Sequence, residues 1–248
     1  MKFHILTLFP ELFPGPLHAG VIGKALDNGL IKLTLHNPRD FTHDRHRSVD
    51  DLPYGGGPGM IMKPEPVFEC LDNLGTPRPH TILLSPQGKL WHQKMAVDLA
   101  QNHSELAIIC GRYEGVDERI REFASDIDIS VGDYVLSGGE VAAMILVETI
   151  SRLLPGVVGD KQSVEGDTLS ENLLKYPQYT RPREYRGHEV PEILLSGHHE
   201  KIDEWRRKQA YKRTKARRPD LLGCKRSLIN DMKLQYFVER DKRDESER

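Results

Sequence analysis

The sequence predicts an α/β protein with a mostly parallel sheet covered by helices on both faces, followed by a small α-helical domain. From the N-terminus to about Leu154, short apolar runs alternate with stretches of helical character, which is typical of parallel strands joined by helices. Further on, the chain becomes basic and helical in pattern. We therefore expect a sheet domain over residues 1–154, a flexible linker over 155–170 and a helical domain over 171–248.

Five apolar runs predict the strands of the first domain. Each is short, rich in Ile, Leu and Val, and bounded by Gly, Pro or Asn, as strands buried on both faces are. In chain order they read KFHILTLF, GLIKLTLH, HTILLS, ELAIIC and DIDISV.

Helical stretches separate these strands. The patterns predict helices over Pro16–Asn28, Pro64–Asn73, Lys89–Asn102 and Val116–Ala124. A further helix, with the body VAAMILVETI, follows Ser137 and Glu140, whose spacing of three residues is that of a capping box. Because this body is apolar nearly all round, we expect it to be buried on every side or shared with a second subunit.

The segment from Leu154 to Asn172 is rich in Gly, Ser and acidic residues and has no apolar period, which favours a linker. After it, two stretches have a helical pattern and form the predicted second domain. They read HHEKIDEWRRKQAYKRTKARRPD, with Ser196 as the expected cap, and RSLINDMKLQYFVER.

Composition indicates a soluble cytoplasmic protein. No stretch approaches the roughly 18 apolar residues of a membrane span. The apolar N-terminus is short and meets Pro10 and Glu11 at once, so a buried strand is favoured over a signal peptide. Cys70, Cys110 and Cys224 are scattered without metal-binding spacing, which is typical of buried thiols in a reducing compartment.

Charge is distributed unevenly along the chain. Up to Ser170 there are 15 Lys and Arg against 23 Asp and Glu, and from Glu171 onwards 20 against 14. Eight of the fourteen residues from Trp205 to Arg218 are Lys or Arg, with Trp205 and Tyr211 among them. A solvated helix face is the usual explanation of such a run, but its density favours binding to an RNA backbone with aromatic stacking.

Three strand ends are followed by glycine-bearing loops: SPQGK, CGRYEG and VGDYVLSGGE. Ligands bind at the carboxyl ends of parallel strands, so we expect these loops to converge on one site. None matches a dinucleotide fingerprint or a P-loop, and the acids of the third loop argue against a pyrophosphate. A neutral or cationic small molecule, such as a sulfonium cofactor, is compatible with them. The alternative is that the glycines only form tight turns.

A second concentration of glycine, DLPYGGGPGMIM, follows the polar segment FTHDRHRSVD. Basic and hydroxyl groups beside an exposed backbone favour a contact with phosphate or sugar. His43, Asp44 and His46 are weak candidates for metal ligands because no further partner lies nearby. A mobile surface loop is the alternative interpretation.

Several of these blocks together resemble one family, the bacterial tRNA (guanine-N1)-methyltransferases of the SPOUT class. The similarity runs from the first strand to about Gly223. Its most distinctive blocks are FTHDRHRSVDDLPYGGGPGM, LLSPQGK, IICGRYEGVDERI, SVGDYVLSGGE and YPQYTRPREYRG.

The resemblance implies a homodimer that moves a methyl group from S-adenosyl-L-methionine to N1 of guanosine 37 in tRNA, next to the anticodon. It also implies that the cofactor site is a deep trefoil knot. Periodicity alone would give an open sheet, because chains do not normally thread loops. The family is further associated with a divalent ion, Mg²⁺, for which no ligand cluster in the sequence identifies a site.

The resemblance also assigns roles to residues. Asp167 matches the general base, Arg152 its cationic partner, and Glu114 a contact to the target nucleotide. Arg206, Arg207 and Lys208 of the basic run are the candidates for tRNA binding. The residues that match the three walls of the cofactor site are Leu84, Ser85, Pro86, Gly88, Gly111, Tyr113, Val131, Gly132, Asp133, Tyr134, Val135, Leu136, Gly138 and Gly139.

Two other functions remain open from the sequence. One is a methyltransferase of the same class with another RNA target, such as ribosomal RNA. The other is an RNA-binding protein that kept the fold and lost catalysis, against which the presence of Arg152, Asp167 and the complete cofactor loop argues. An NAD-dependent or nucleotide-dependent enzyme is excluded because its fingerprint is missing.

Overall fold

The computed structural model describes residues 1–159, 169 and 172–223. The chain divides into two compact units, Met1–Asp160 and Lys161–Arg248. Asp167 and the second predicted helix of the C-terminal region, RSLINDMKLQYFVER, lie outside the described residues.

A five-stranded parallel sheet forms the centre of the first unit. Its strands stand in the order β2-β1-β6-β5-β7, and every neighbouring pair is parallel. All five predicted strands are confirmed. The strands are β1 (Lys2–Leu6), β2 (Lys32–His36), β5 (His80–Leu90), β6 (Glu105–Cys110) and β7 (Ile127–Ser130), and a separate antiparallel pair comprises β3 (Asp50–Asp51) and β4 (Ile61–Met62).

Six α-helices of this unit lie between the strands or, in the case of the last one, after them. They are α1 (Pro14–Leu17), α2 (Gly20–Asp27), α3 (Pro64–Asp72), α4 (Gln93–Asn102), α5 (Glu118–Phe123) and α6 (Glu140–Ser151). The prediction of a single helix over Pro16–Asn28 is wrong. The helix is interrupted before Gly20, whose φ of +61° is not helical. The helix predicted from Lys89 begins later because β5 continues through Leu90.

Helices cover both faces of the sheet, as predicted. Phe3 and Ile5 of β1 belong to a core that includes side chains of α1, α2, α4 and α6. Leu6 belongs to a second core together with side chains of α3 and α5. Each inner strand is therefore apolar on both sides, which explains its nearly continuous run of apolar residues.

The N-terminus of α6 and the exposure of its side chains differ from what the sequence predicts. The capping box is wrong, because the helix begins at Glu140, the preceding residue Gly139 provides no side-chain cap, and the Glu140 carboxylate is buried. Of the two alternatives predicted for its apolar body, burial on every side does not hold in the single chain, because Val141 is 54% exposed, whereas Ala143 and Leu146 are fully buried. Sharing of the helix with a second subunit stays a prediction.

Among its described residues, the second unit has one long helix, α7 (His199–Arg217), and a hairpin of β8 (Glu184–Tyr185) and β9 (His188–Glu189). The predicted helix over the basic run is confirmed, although His198, not Ser196, precedes its first residue. Thr214 of α7 is buried, and its hydroxyl accepts a hydrogen bond of 2.8 Å from the Leu174 backbone. Within the described ranges, no helix combines the length and the apolarity needed to cross a membrane.

Candidate active site

A cavity of about 300 Å³ lies in the first unit at the carboxyl ends of β5, β6 and β7. This is the edge of a parallel sheet at which ligands bind, and the volume suits a small molecule. Three loops form its walls: residues 85–87, residues 111–115 and residues 130–139. The prediction that the three glycine-bearing loops converge on one site is therefore confirmed.

The first wall is a bulge within β5. Leu84 and Lys89 both pair with Ile129 of β7, so the four residues between them loop out of the strand. Gly88 closes this bulge directly on β7, and a Cβ at this position would lie 2.6 Å from the Ile129 carbonyl carbon. The bulge can return to the sheet only because residue 88 has no side chain.

The second and third walls touch through their backbones. The Gly139 amide donates a hydrogen bond of 2.9 Å to the Gly111 carbonyl. A Cβ on Gly139 would lie 2.7 Å from the Cα of Cys110, so glycine permits this approach. The Cys110 thiol behind the contact is fully buried, and burial raises its pKa well above the ordinary value. It is therefore a packing group and not a nucleophile.

Two arginines of the cavity wall are already paired with carboxylates. Arg112 forms an ion pair with Glu140, with 2.9 Å between its Nη2 and the carboxylate Oε2. Arg121 pairs with Asp128 and with Glu118, at 3.2 Å for the latter, and donates a hydrogen bond of 3.4 Å to the Ser85 hydroxyl. Since their charges are compensated within the protein, the cavity is not built for a phosphate.

The open side of the cavity is bordered by apolar and aromatic side chains. Tyr134, Val135 and Leu136 are 54%, 86% and 38% exposed. Such a border, with loops of backbone donors and acceptors behind it, suits a ligand that combines an apolar ring with polar edges, such as an adenosine.

Twelve of the fourteen predicted cofactor-binding residues line this cavity. The two exceptions are Gly88, which packs behind it on β7, and Asp133, which is exposed. The twelve are Leu84, Ser85, Pro86, Gly111, Tyr113, Val131, Gly132, Tyr134, Val135, Leu136, Gly138 and Gly139.

Glu114 also lines the cavity, where it meets the glycine-rich loop between β3 and β4. Its amide donates a hydrogen bond of 3.0 Å to the Met60 carbonyl. A Cβ on Gly59 would lie 2.5 Å from the Glu114 Cγ. Tyr54, at the tip of the same loop, is fully exposed. The structure thus brings the second glycine concentration to the mouth of the cavity.

The weakly predicted metal ligands of this region are not assembled into a site. His43 pairs with Glu69 at 3.0 Å, and Asp44 accepts hydrogen bonds from Ser48. Across residues 1–159, 169 and 172–223, no group of three or more ligating side chains has the arrangement of a metal site.

Of the two predicted catalytic residues, only Arg152 lies within the described part of the chain, and it is not among the residues that line the cavity. Arg152 directly follows α6 and is exposed, whereas Asp167 lies outside the described residues. In the second unit, Lys208 is exposed on α7. Arg206 pairs with Asp203 at 3.1 Å and lies over the Tyr176 ring at 5.1 Å. The Nε atoms of Arg206 and Arg207 are buried.

The sequence reasoning missed Arg112, Glu118 and Arg121 as parts of the cavity wall. All three lie in the block IICGRYEGVDERI, in which the predicted site residues are Gly111, Tyr113 and Glu114. A signal was available for Arg112, because it lies inside the glycine-bearing loop CGRYEG. Glu118 and Arg121 also have the i,i+3 spacing of a helical ion pair.

Fold and cavity together define an α/β protein whose parallel sheet has, at its carboxyl edge, a cavity suited to a small ligand without phosphate. The sequence profile of the family described as tRNA (Guanine-1)-methyltransferase TrmD matches residues 1–224. The chain belongs to this family.

Curated relatives agree with this assignment. A protein of Dehalococcoides mccartyi is 53% identical over 226 residues, which are 90% of each chain. A protein of Carboxydothermus hydrogenoformans is 53% identical over 234 residues, 94% of this chain and 92% of its own length. One of Dictyoglomus turgidum is 48% identical over 246 residues, 99% of both chains. Each of these relatives is named tRNA (guanine-N(1)-)-methyltransferase.

Proposed function

We propose that this protein transfers a methyl group from S-adenosyl-L-methionine to N1 of guanosine 37 in tRNA. The observation that carries the proposal is the cavity at the carboxyl ends of β5, β6 and β7, whose arginines are paired with carboxylates. A methyl donor of this kind is an adenosine with a sulfonium charge and no phosphate. Family membership and the names of relatives supply the reaction and its target.

The residues of the cavity bind and orient the donor. The backbone of residues 131–139 offers N–H and C=O groups to the adenosine, and Tyr134, Val135 and Leu136 cover its apolar surface. The bound donor supplies an electrophilic methyl group. Fixing this methyl group in line with the nucleophile removes a large part of the entropic barrier, so positioning accounts for much of the catalysis.

The nucleophile needs activation, because guanine N1 carries a proton. In our proposal Asp167 removes this proton as the general base, which moves negative charge onto the guanine oxygen. Arg152, at the end of α6, stabilises that charge. Glu114 contacts the target nucleotide, since it lines the cavity where the loop between β3 and β4 meets it. We assign no residue to Mg²⁺.

Two further parts of the proposal rest on the family resemblance. One is the deep trefoil knot at the cofactor site. The other is the homodimer. On α6, Val141 is exposed and Met144 and Ile145 are half-buried, so a second copy would cover these apolar side chains.

For tRNA binding we propose a lysine face of α7, defined as Lys201, Lys208 and Lys212. These residues are exposed and spaced by seven and four positions, so they lie on one side of the helix. Arg206 and Arg207 remain candidates beside this face: their Nε atoms are buried, but both residues are only partly buried, and the Arg206 side chain is 41% exposed. Of the three residues of the sequence hypothesis, Lys208 lies on this face. We place the reaction in the cytoplasm, where tRNA is found.

The product tests this proposal. The purified protein is incubated with S-adenosyl-L-methionine and a tRNA transcript with guanine 3′ of the anticodon, and the RNA is digested to nucleosides for mass spectrometry. We expect 1-methylguanosine as the only new nucleoside. A methyl group on another guanine atom would contradict the proposed site of transfer. Methylation of ribosomal RNA with unmodified tRNA would contradict the target.

A further inference from the structure

The side chain of Arg112 connects two walls of the cavity. Arg112 follows β6, and its Nη1 donates a hydrogen bond of 3.1 Å to the Ser137 carbonyl in the loop between β7 and α6. Its Nε donates to Glu140 Oε1 at 3.2 Å, and its Nη2 lies 2.9 Å from Oε2 of the same carboxylate. One guanidinium therefore holds both the loop and the first residue of the helix that follows it.

The partner carboxylate is itself fixed. Glu140 is 1% exposed, and the Thr7 hydroxyl donates a hydrogen bond of 2.9 Å to its Oε1. The same hydroxyl accepts a hydrogen bond of 3.0 Å from the Phe9 amide. The Phe9 ring lies 4.3 Å below the Arg112 guanidinium, in a cation–π contact. The end of β1 is thereby joined to the same network.

The loop is shaped to receive the arginine. Gly138 forms a bridge with Arg112, and a Cβ at position 138 would lie 2.6 Å from the Arg112 Cζ. Glycine at this position allows the guanidinium to lie against the backbone of the loop. Only a side chain with several donors in a fixed fork can reach a carbonyl and a carboxylate at the same time.

Stability alone does not explain a buried ion pair. Removing two charges from water costs about as much as their attraction returns, so apolar pairs of similar volume often stabilise a fold equally well. What an apolar pair cannot do is hold the Ser137 carbonyl. The specific effect of Arg112 is therefore on the conformation of the loop over residues 132–139, which forms one wall of the cavity.

We propose that Arg112 is a positioning residue for the methyl donor: it fixes the loop over residues 132–139 in the conformation that binds the adenosine, and Glu140 fixes Arg112. This inference rests on the proposed function. The loop contacts the part of the donor that does not react. Loss of the binding conformation of the loop therefore weakens binding of the donor in the ground state and in the transition state equally. The KM for the donor then rises while kcat at saturating donor is retained.

The test uses two variants of the full chain. Arg112→Lys keeps the charge but removes the fork. Arg112→Met combined with Glu140→Met removes both buried charges, so that no unpaired carboxylate remains to unfold the protein. Donor affinity is measured by titration calorimetry with S-adenosyl-L-methionine, stability by thermal unfolding, and KM and kcat with tRNA at saturation. Arg119→Met is the matched control, because Arg119 pairs with Asp117 outside the cavity lining.

We expect the double variant to unfold near the temperature of the unmodified protein and to bind the donor at least about tenfold more weakly, as the loss of a charged hydrogen bond predicts. Its kcat should stay within about threefold. Arg112→Lys should show the same weaker binding, and the control should bind normally. Normal donor affinity in both Arg112 variants would overturn the inference. So would an equal fall of kcat and kcat/KM. If the unmodified protein bound no donor, the proposed function would fail first, and the inference with it.

Discussion

Gly88 and Ile129 lie so close together that a Cβ at position 88 would come within 2.6 Å of the Ile129 carbonyl carbon. Ile129 pairs twice with β5, once with Leu84 and once with Lys89. The bulge between these two pairings carries Ser85 and Pro86 into the cavity. The first wall of the site therefore depends on a glycine that does not itself face the ligand.

Gly88→Ala should destabilise the protein and weaken donor binding. The added methyl group collides with backbone atoms of β7, which cannot move away as a side chain would, and such overpacking costs about 1–3 kcal/mol. Thermal unfolding and donor titration measure the two effects. Gly15→Ala is the matched control: no atom lies within 4 Å of its Cβ, and it stands in α1. Donor affinity unchanged in Gly88→Ala would contradict our account of this wall.

Asp167→Asn should leave donor affinity nearly unchanged and lower kcat at least about a hundredfold, which is the low end for the loss of a general base. The reason is that the amide cannot accept the proton of guanine N1. Single-turnover methylation measures this rate without interference from product release. Glu165→Gln, two positions earlier, removes a neighbouring acid and should retain full activity. Normal turnover of Asp167→Asn would place the base elsewhere.

Lys208→Gln combined with Lys212→Gln should weaken tRNA binding and flatten its dependence on salt. Each phosphate contact contributes roughly 0.7 to 0.9 to the slope of log K against log salt, so the slope should fall by about 1.5. Binding is measured by filter retention between low and physiological salt. The control, Lys24→Gln combined with Lys94→Gln, removes the same charge from exposed positions of the first unit. Equal slopes in both double variants would mean that the α7 lysines are only solvated.

Acid should destabilise the first unit through two histidines. His4 is 4% exposed, and its Nδ1 lies 2.9 Å from His36 Nε2. Burial lowers the pKa of His4, although a hydrogen bond to Glu105 opposes the shift. Burial lowers the pKa of His36 as well, and the charge of His4 adds to this effect. Lys2 and Lys32 also face the pair and disfavour its protonation.

The sign of the pH effect follows from these directions. The unfolded chain binds a proton at each histidine with a pKa near 6.5, whereas the folded chain binds it less readily. The stability contributed by the neutral pair is therefore present above pH 6.5 and is lost as the pH falls below it. We expect a smaller loss of unfolding temperature between pH 7.5 and pH 5.5 in His36→Gln. His18→Gln, at an exposed histidine, should keep the full loss. Identical pH profiles would argue against this account.

The parallel sheet was predictable because its signal is local and repeated. Strands buried on both faces must be apolar throughout, and HTILLS and ELAIIC have that character without any knowledge of their neighbours. The three loops were predictable for a related reason: Gly88, Gly111 and Gly139 mark places where one backbone approaches another. The sequence of a loop does not show which other backbone segment the loop approaches, because that depends on the fold of the whole domain.

The roles of charged side chains were harder to predict. Ser137 and Glu140 have the spacing of a capping box, but the Glu140 carboxylate binds Arg112, 28 positions earlier in the chain, and Thr7, 133 positions earlier. A local pattern cannot exclude such a partner. For the same reason, the sequence showed Arg206 and Arg207 as part of a basic run, without showing that their Nε atoms are buried in the second unit.

The most direct test of the central claim uses a labelled methyl donor and two tRNA transcripts that differ only at position 37, guanine in one and adenine in the other. The account predicts that label enters the guanine transcript alone, because Asp167 is assigned to remove the proton that guanine carries at N1 and adenine lacks. Equal labelling of both transcripts, or labelling of the adenine transcript alone, would contradict it.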